Sequence, residues 1–138
     1  MSNLKTVKLV LDGNVPSKKN SRINTSSGRS FPNKKFVQWQ EDAMWQVRQQ
    51  TRERFFGMVQ VDVVIYFGTK GKADADNKRT SILDMLVEMV VLSDDNYKCV
   101  ADGRAIGVYR KGNPGAFVRI REVTPEYIEQ EIASIIND

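Results

Sequence analysis

Carboxylates crowd one stretch of the chain. Asp74 and Asp76 stand two residues apart, Asp84 and Glu88 four apart, and Asp94 and Asp95 are adjacent. There is no histidine and one cysteine, Cys99. That excludes catalysis by serine or cysteine with histidine, and it excludes zinc sites built on imidazole or several thiolates. A metal bound here must be a hard cation held by oxygen. Clustered carboxylates repel one another unless a cation sits among them. Two acids just past a helix C-terminus also face the negative end of its dipole. With Lys72, Lys78 and Arg79 nearby, the pattern points to Mg²⁺ acting on phosphate. Each acid also has an ordinary structural use: Asp76 as a helix N-cap, Asp84 and Glu88 as a solvated stripe, Asp94 and Asp95 as turn formers.

The rest of the chain supplies a polyanion-binding counterpart. The net charge is +4 over 138 residues, but it is unevenly spread. Residues 1–40 carry Lys5, Lys8, Lys18, Lys19, Arg22, Arg29, Lys34 and Lys35 against Asp12 alone, whereas the remainder is net acidic. A basic first segment on an acidic body suits an arm that meets nucleic acid. No apolar run approaches the ~18 residues of a membrane span. The first residues lack the pattern of a signal peptide, and a lone cysteine suits a reducing compartment. The expectation is a cytoplasmic protein with no membrane partner.

These residues need elements to position them. Length and ordinary globular composition predict one domain over 1–138. TVKLVLD alternates as a strand over 6–12, stopped by Gly13. Residues 13–35, rich in Gly, Ser, Asn and lysine, read as a long basic loop. Residues 36–56 read as a helix with Phe36, Trp39, Ala43 and Val47 on one face and Trp45 on the opposite, polar side. Residues 58–67 form a strand and 77–91 a helix, 98–110 and 116–123 two further strands, and Pro125 opens a last amphipathic helix with Ile128, Ile132, Ile135 and Ile136. The expected fold is α/β (α+β), in the order β-α-β-α-β-β-α, with a small mixed sheet packed against helices.

The 77–91 helix is apolar nearly all round, so it should be covered on more than one side, and a second subunit is a natural cover. A helix of that length spans about 22 Å, which separates Asp76 from Asp95. They cannot share one cation within a chain unless it folds sharply back. Two such helices packed antiparallel in a two-fold dimer would bring the start of one near the end of the other. The expected metal site therefore joins Asp74 and Asp76 of one chain to Asp95 of the other.

The segments Asp74-Ala75-Asp76-Asn77, Ile82-Leu83-Asp84-Met85-Leu86 and Asp94-Asp95, in that order, resemble the RusA-type Holliday-junction resolvases. Pro16-Ser17-Lys18-Lys19-Asn20-Ser21-Arg22 is similar to the family's N-terminal loop. The resemblance runs from the first strand to about residue 121. It implies a homodimer that binds four-way DNA junctions and nicks two opposed strands with Mg²⁺ or Mn²⁺. It implies Asp74, Asp76 and Asp95 as metal ligands, with Asp84 and Asp94 as further acidic positions. Where the family places a lysine on the first turn of the helix, this chain has Thr80. Lys72, Lys78, Arg79 or the partner's arm is left to supply that charge. Lys78, two residues after Asp76 and about 200° round the helix from it, is taken as an electrostatic aid to catalysis. By analogy with compact resolvases, the setting would be bacterial or phage-derived, at the nucleoid.

The reaction expected is phosphodiester hydrolysis in DNA recombination and repair, with Lys18, Lys19, Asn20, Arg22, Arg29, Lys34, Lys35 and Lys72 contacting DNA. Phosphate contacts orient DNA without reading its sequence. Two rivals stay open. Asp76-Asn77-Lys78 fits the D-x-K fragment of restriction-like nucleases, although it opens a helix here instead of lying on a strand. A non-catalytic DNA-binding module of a recombination system would use the basic arm and keep the aspartates as caps.

Overall fold

Alternation in Thr6–Asp12 buries Val7, Leu9 and Leu11 and turns Lys8, Val10 and Asp12 outward, which makes β1. The structure, a computed structural model, describes residues 4–138 apart from the side chain of Asn20. After β1 come a single 3-10 turn at Lys18–Asn20, β2 (Arg22–Asn24), β3 (Ser30–Pro32), α1 (Lys34–Gln50), β4 (Val59–Phe67), α2 (Ala75–Glu88), β5 (Val100–Asp102), β6 (Ala105–Tyr109), β7 (Gly115–Glu122) and α3 (Pro125–Asn137). The α/β class and the order of the large elements are as the sequence implies.

One mixed sheet carries β1, β7 and β4 side by side and antiparallel, with β5 and β6 both parallel to β4 on its far side. Val59, Val61, Val63 and Ile65 of β4 lie fully buried beneath α1 and α2, together with Val118 and Ile120 of β7. Burying each of these side chains stabilises the fold by roughly 1.5–3 kcal/mol. The opposite face of the sheet is only partly covered. There Asp62 accepts from Arg119 at 2.5 Å, and Arg121 stacks on Tyr127 of α3 with 5.3 Å to the ring centroid. No residue of α3 is buried, and Ile132, Ile135 and Ile136 face solvent.

Five sequence expectations need correction, the first being the helix expected over 36–56, which runs over Lys34–Gln50 and stops at Thr51. The basic loop is not featureless: it holds the 3-10 turn and the β2–β3 hairpin, with Arg22 opposite Pro32, Ile23 opposite Phe31 and Asn24 opposite Ser30. The strand expected over 98–110 is two strands. Arg79 of α2 donates to the Val61 carbonyl at 3.1 and 3.2 Å and so takes a ladder position from the edge. Gly103 sits at φ +151°, where a Cβ would strike the Val61 carbonyl and the Arg79 guanidinium. The helix expected over 77–91 ends at Glu88. Val90 takes φ +61°, its N–H donates to Val87 O at 2.9 Å, and Val91 N–H donates to Leu86 O at 2.9 Å. This is a Schellman close with a β-branched residue where glycine is the common choice. Lastly, the apolar surplus of α2 needs no second subunit. Ile82, Leu83, Met85 and Leu86 are buried within the chain, and only Val90 of that run is exposed.

The two edges of the sheet differ. Along β1, the side chains of Gln46 and Gln50 of α1 bond to the free backbone. Gln50 accepts from Val10 N–H at 2.7 Å and donates to Val10 O at 2.7 Å. Gln46 accepts from Asp12 N–H at 2.7 Å and donates to Asp12 O at 3.3 Å. Along β6, Val63 N–H donates to Arg104 O and Arg110 N–H donates to Phe67 O. The alternate residues Ala105, Gly107 and Tyr109 therefore turn their N–H and C=O groups away from β4. Those groups have no partner among the described residues.

Candidate functional site

The start of α2 is fixed by Asp74, not Asp76. Asp74 has extended backbone and is the N-cap. Its Oδ1 accepts from Asp76 N–H at 2.9 Å and its Oδ2 from the Asn77 side-chain amide at 3.2 Å. Each oxygen keeps a lone pair for another partner. The Asp76 carboxylate accepts no hydrogen bond among the described residues. It acts on Arg79, which lies one turn on. Burial depresses the Arg79 pKa, and the charges of Asp62, Asp76 and Asp102 work against that depression.

Asp74 opens onto a cleft of about 330 Å³, which it lines with Asn14, Ser17, Lys19, Lys72, Asn77 and Lys78. Lys78 is buried at the floor. Its Nζ donates to the Val15 carbonyl and sits 5.5 Å from the Phe67 ring centroid. Burial holds its pKa below the ordinary lysine value. Helical angle alone placed Lys78 away from the acids. The structure instead brings it to the same cleft, because Asp74 is the cap and Lys78 lies one turn below it. Thr80 donates its hydroxyl to the Asp76 carbonyl at 3.1 Å and supplies no charge.

The basic segment is fastened to this helix. Besides Lys78 to Val15 O, Ser81 Oγ donates to Pro16 O at 2.7 Å. Lys18 pairs with Asp84 at 2.9 Å, and Gln40 donates to the same carboxylate at 3.4 Å. Asp84 thus positions a lysine. Arg22 spends its guanidinium on Ser30, with Nε to Oγ at 2.7 Å and Nη2 to O at 2.9 Å. Lys19, Arg29, Lys34, Lys35 and Lys72 are exposed, and the Asn20 side chain lies outside the described residues. Sequence reasoning missed Ser81 and Asn77. Ser81 sits three residues beyond Lys78, and that spacing is the one signal that both would meet the same loop.

At the far end of α2 the two acids divide their work. Asp94 makes the turn: its Oδ1 accepts from Asp95 N–H at 2.7 Å and its Oδ2 from the Asn96 amide at 3.1 Å. The exposed Asp95 carboxylate has no such partner among the described residues. The 14 residues of α2 span about 21 Å, so Asp95 stands well away from Asp74 and Asp76. Among the described residues, no three acidic or cysteine side chains of one chain gather closely enough to hold a metal ion. As donors, the three aspartates fit a hard divalent cation, since they are oxygen-only, hydrated and anionic. As a set, they fit it only if a second copy completes it.

Residues 12–121 match the family described as endodeoxyribonuclease RusA. A crossover junction endodeoxyribonuclease RusA of Aquifex aeolicus (strain VF5) is 24% identical over 122 residues, covering 88% of this chain and 95% of that protein. The match takes in residues 13–35, both ends of α2 and the sheet apart from β1. It stops short of α3.

Proposed function

Because the chain belongs to the RusA endodeoxyribonuclease family, we propose as its function the resolution of Holliday junctions by two symmetric, divalent-metal-dependent nicks. The chain is a structure-specific endodeoxyribonuclease that resolves four-way DNA junctions. The observation that carries this reading is Asp74, the N-cap of α2, opening onto a lysine-lined cleft, with Asp76 beside it in the first turn of the helix. No helix is long and apolar enough to cross a membrane among the described residues.

Asp74 and Asp76 of one chain and Asp95 of another would hold Mg²⁺ or Mn²⁺. Such an ion, when bound, acidifies water and neutralises charge building on the phosphoryl and leaving oxygens. The protein's own residues do the remaining work. Lys19 and Lys72 attract and seat the backbone phosphates over the cleft. Lys78 and Ser81 hold the base of the basic segment against α2, so that seat keeps its distance from the carboxylates. Lys78 thus acts as a positioning residue here, through the N–H it gives to the Val15 carbonyl.

The homodimer has its own support. The chain exposes 9160 Å², against about 7,300 Å² for a compact monomer of 15.7 kDa. The uncovered β6 edge, beside α2, offers a place for a second copy of the same strand. The test is complementation. Asp74→Asn and Asp95→Asn chains, each inactive alone, should recover nicking of a labelled four-way junction when mixed and refolded together in Mg²⁺. No recovery rejects the shared site. The same assay separates the rivals: cutting of plain duplex favours a restriction-like nuclease, and junction binding without nicks favours a non-catalytic module.

A further inference from the structure

The β2–β3 hairpin carries an apolar pair that the fold does not use. Ile23 and Phe31 are direct cross-strand partners, so their side chains leave the same face of the hairpin. They are 42% and 44% exposed, and no residue of either strand is buried. The hairpin is nevertheless braced. Arg22 clamps Ser30 across it, Thr25 and Arg29 close its turn at 2.9 Å, and Gly28 takes φ +81° within that turn. Its base returns through Asn33 N–H to Ser21 O at 2.8 Å. From there the chain is fastened to α2 by Lys18–Asp84, Ser81–Pro16 and Lys78–Val15. An exposed apolar pair is therefore held at a fixed place relative to Asp74.

The surroundings state what kind of partner this pair meets. No acidic residue occurs between Asp12 and Glu41, while Lys18, Lys19, Arg22, Arg29, Lys34 and Lys35 all fall there. The partner is a polyanion that also shows apolar surface. A regular duplex shows phosphates outside and keeps its base faces stacked inside. Bases at a branch point can open, and aromatic or aliphatic side chains inserted there stabilise the unstacked state.

We propose that Ile23 and Phe31 form a wedge that enters the centre of a four-way junction and packs against its opened bases, with Arg29, Lys34 and Lys35 on the flanking phosphates. This rests on the junction-resolving function above. It assigns recognition of the branch to apolar contact and leaves the general hold on DNA to the lysines.

The experiment uses a four-way junction labelled with 2-aminopurine at the branch point or within one arm, titrated with the full chain in EDTA so that nothing is cut. Wild type should raise fluorescence at the branch and not in the arm. Phe31→Ser should abolish that rise and weaken junction binding about tenfold, with duplex binding within twofold of wild type. Phe31→Trp should restore both, and Ile23→Ser should show a smaller loss. Both positions are exposed, and circular dichroism checks the fold of each variant. Equal losses on junction and duplex, no loss on either, or an unchanged branch signal in Phe31→Ser would each overturn the wedge. A wild-type chain that does not prefer junction to duplex would remove the function reading itself, and the wedge with it.

Discussion

The β1 and β6 edges of the sheet are treated in opposite ways. At β1, two glutamines one helical turn apart on α1 copy the hydrogen bonding of a missing strand and close the edge. At β6, an uncharged strand with Ile106, Val108 and Tyr109 exposed leaves its outward backbone groups without partners among the described residues. Folded chains protect their edges because a bare one pairs with any strand that arrives. One edge guarded and the other bare makes β6 the edge at which the proposed second copy would pair. The bare edge also lies beside α2, the helix whose two ends carry the metal-ligand candidates.

The largest effect should come from the chemistry that the bare edge is proposed to complete. Asp74→Asn keeps a good N-cap, so the fold stands. Cleavage of a four-way junction should fall by at least about 10³-fold, with binding in EDTA within twofold of wild type. A variant that cuts at the wild-type rate in Mg²⁺ removes Asp74 from the mechanism.

Next is the edge itself. Ile106→Lys with Val108→Lys places two charges on β6 without touching the core. Sedimentation should move from about twice 15.7 kDa to the monomer mass, and paired nicking should fall about 100-fold. If the variant remains dimeric, the copies meet elsewhere, with the exposed isoleucines of α3 the next place to look.

Between the edges, Asp62 ties β4 to β7 and to Arg104. Burial alone would raise its pKa. Hydrogen bonds from Arg119, Arg104 N–H and Gln60 outweigh that and hold it below 3.8. A carboxyl depressed in the fold contributes stability that is present above its unfolded pKa and lost as pH falls through the folded value. Asp62→Asn should therefore cost about 1.5–3 kcal/mol near neutrality. In urea melts, its gap from wild type should narrow below pH 3.8. A gap that stays constant down to pH 2.5 contradicts this account.

Stripping the guarded edge should cost somewhat less. Gln46→Ala with Gln50→Ala removes four side-chain bonds to β1, about 1–2 kcal/mol altogether where water can replace them. It should raise light scattering on heating while nicking persists. The smallest change sits at the end of α2. Val90 is exposed and left-handed, so Val90→Gly should stabilise by about 1 kcal/mol, read as a rise in melting temperature.

How much of this was legible follows from the kind of signal each element gives. The alternation in 6–12 ended at Gly13, and β1 has those bounds. The three-residue strands β2 and β3 are too short and too polar to show a period, so a braced hairpin looked like loop. The end of α2 was overrun because Met89, Val90 and Val91 prolong an apolar pattern, and no glycine marks the left-handed turn. Its start was placed late because Asp74 and Asp76 are equally good caps on paper. The strand over 98–110 broke at Arg79, which is distant in sequence. No local pattern could announce it.

The candidate site divides along the same line. Residue types alone restricted the metal chemistry to oxygen ligands, because histidine is absent and cysteine is single. They also singled out the basic segment as the side expected to meet a polyanion, because charge is countable without a fold. Only the tertiary structure decided that Asp74 is the cap, that Lys78 is buried beside the cleft and that Asp84 holds Lys18. Such facts depend on which groups meet across the fold and on which donors are already taken. Distances between residues remote in sequence are set by packing, so spacing along the chain does not contain them.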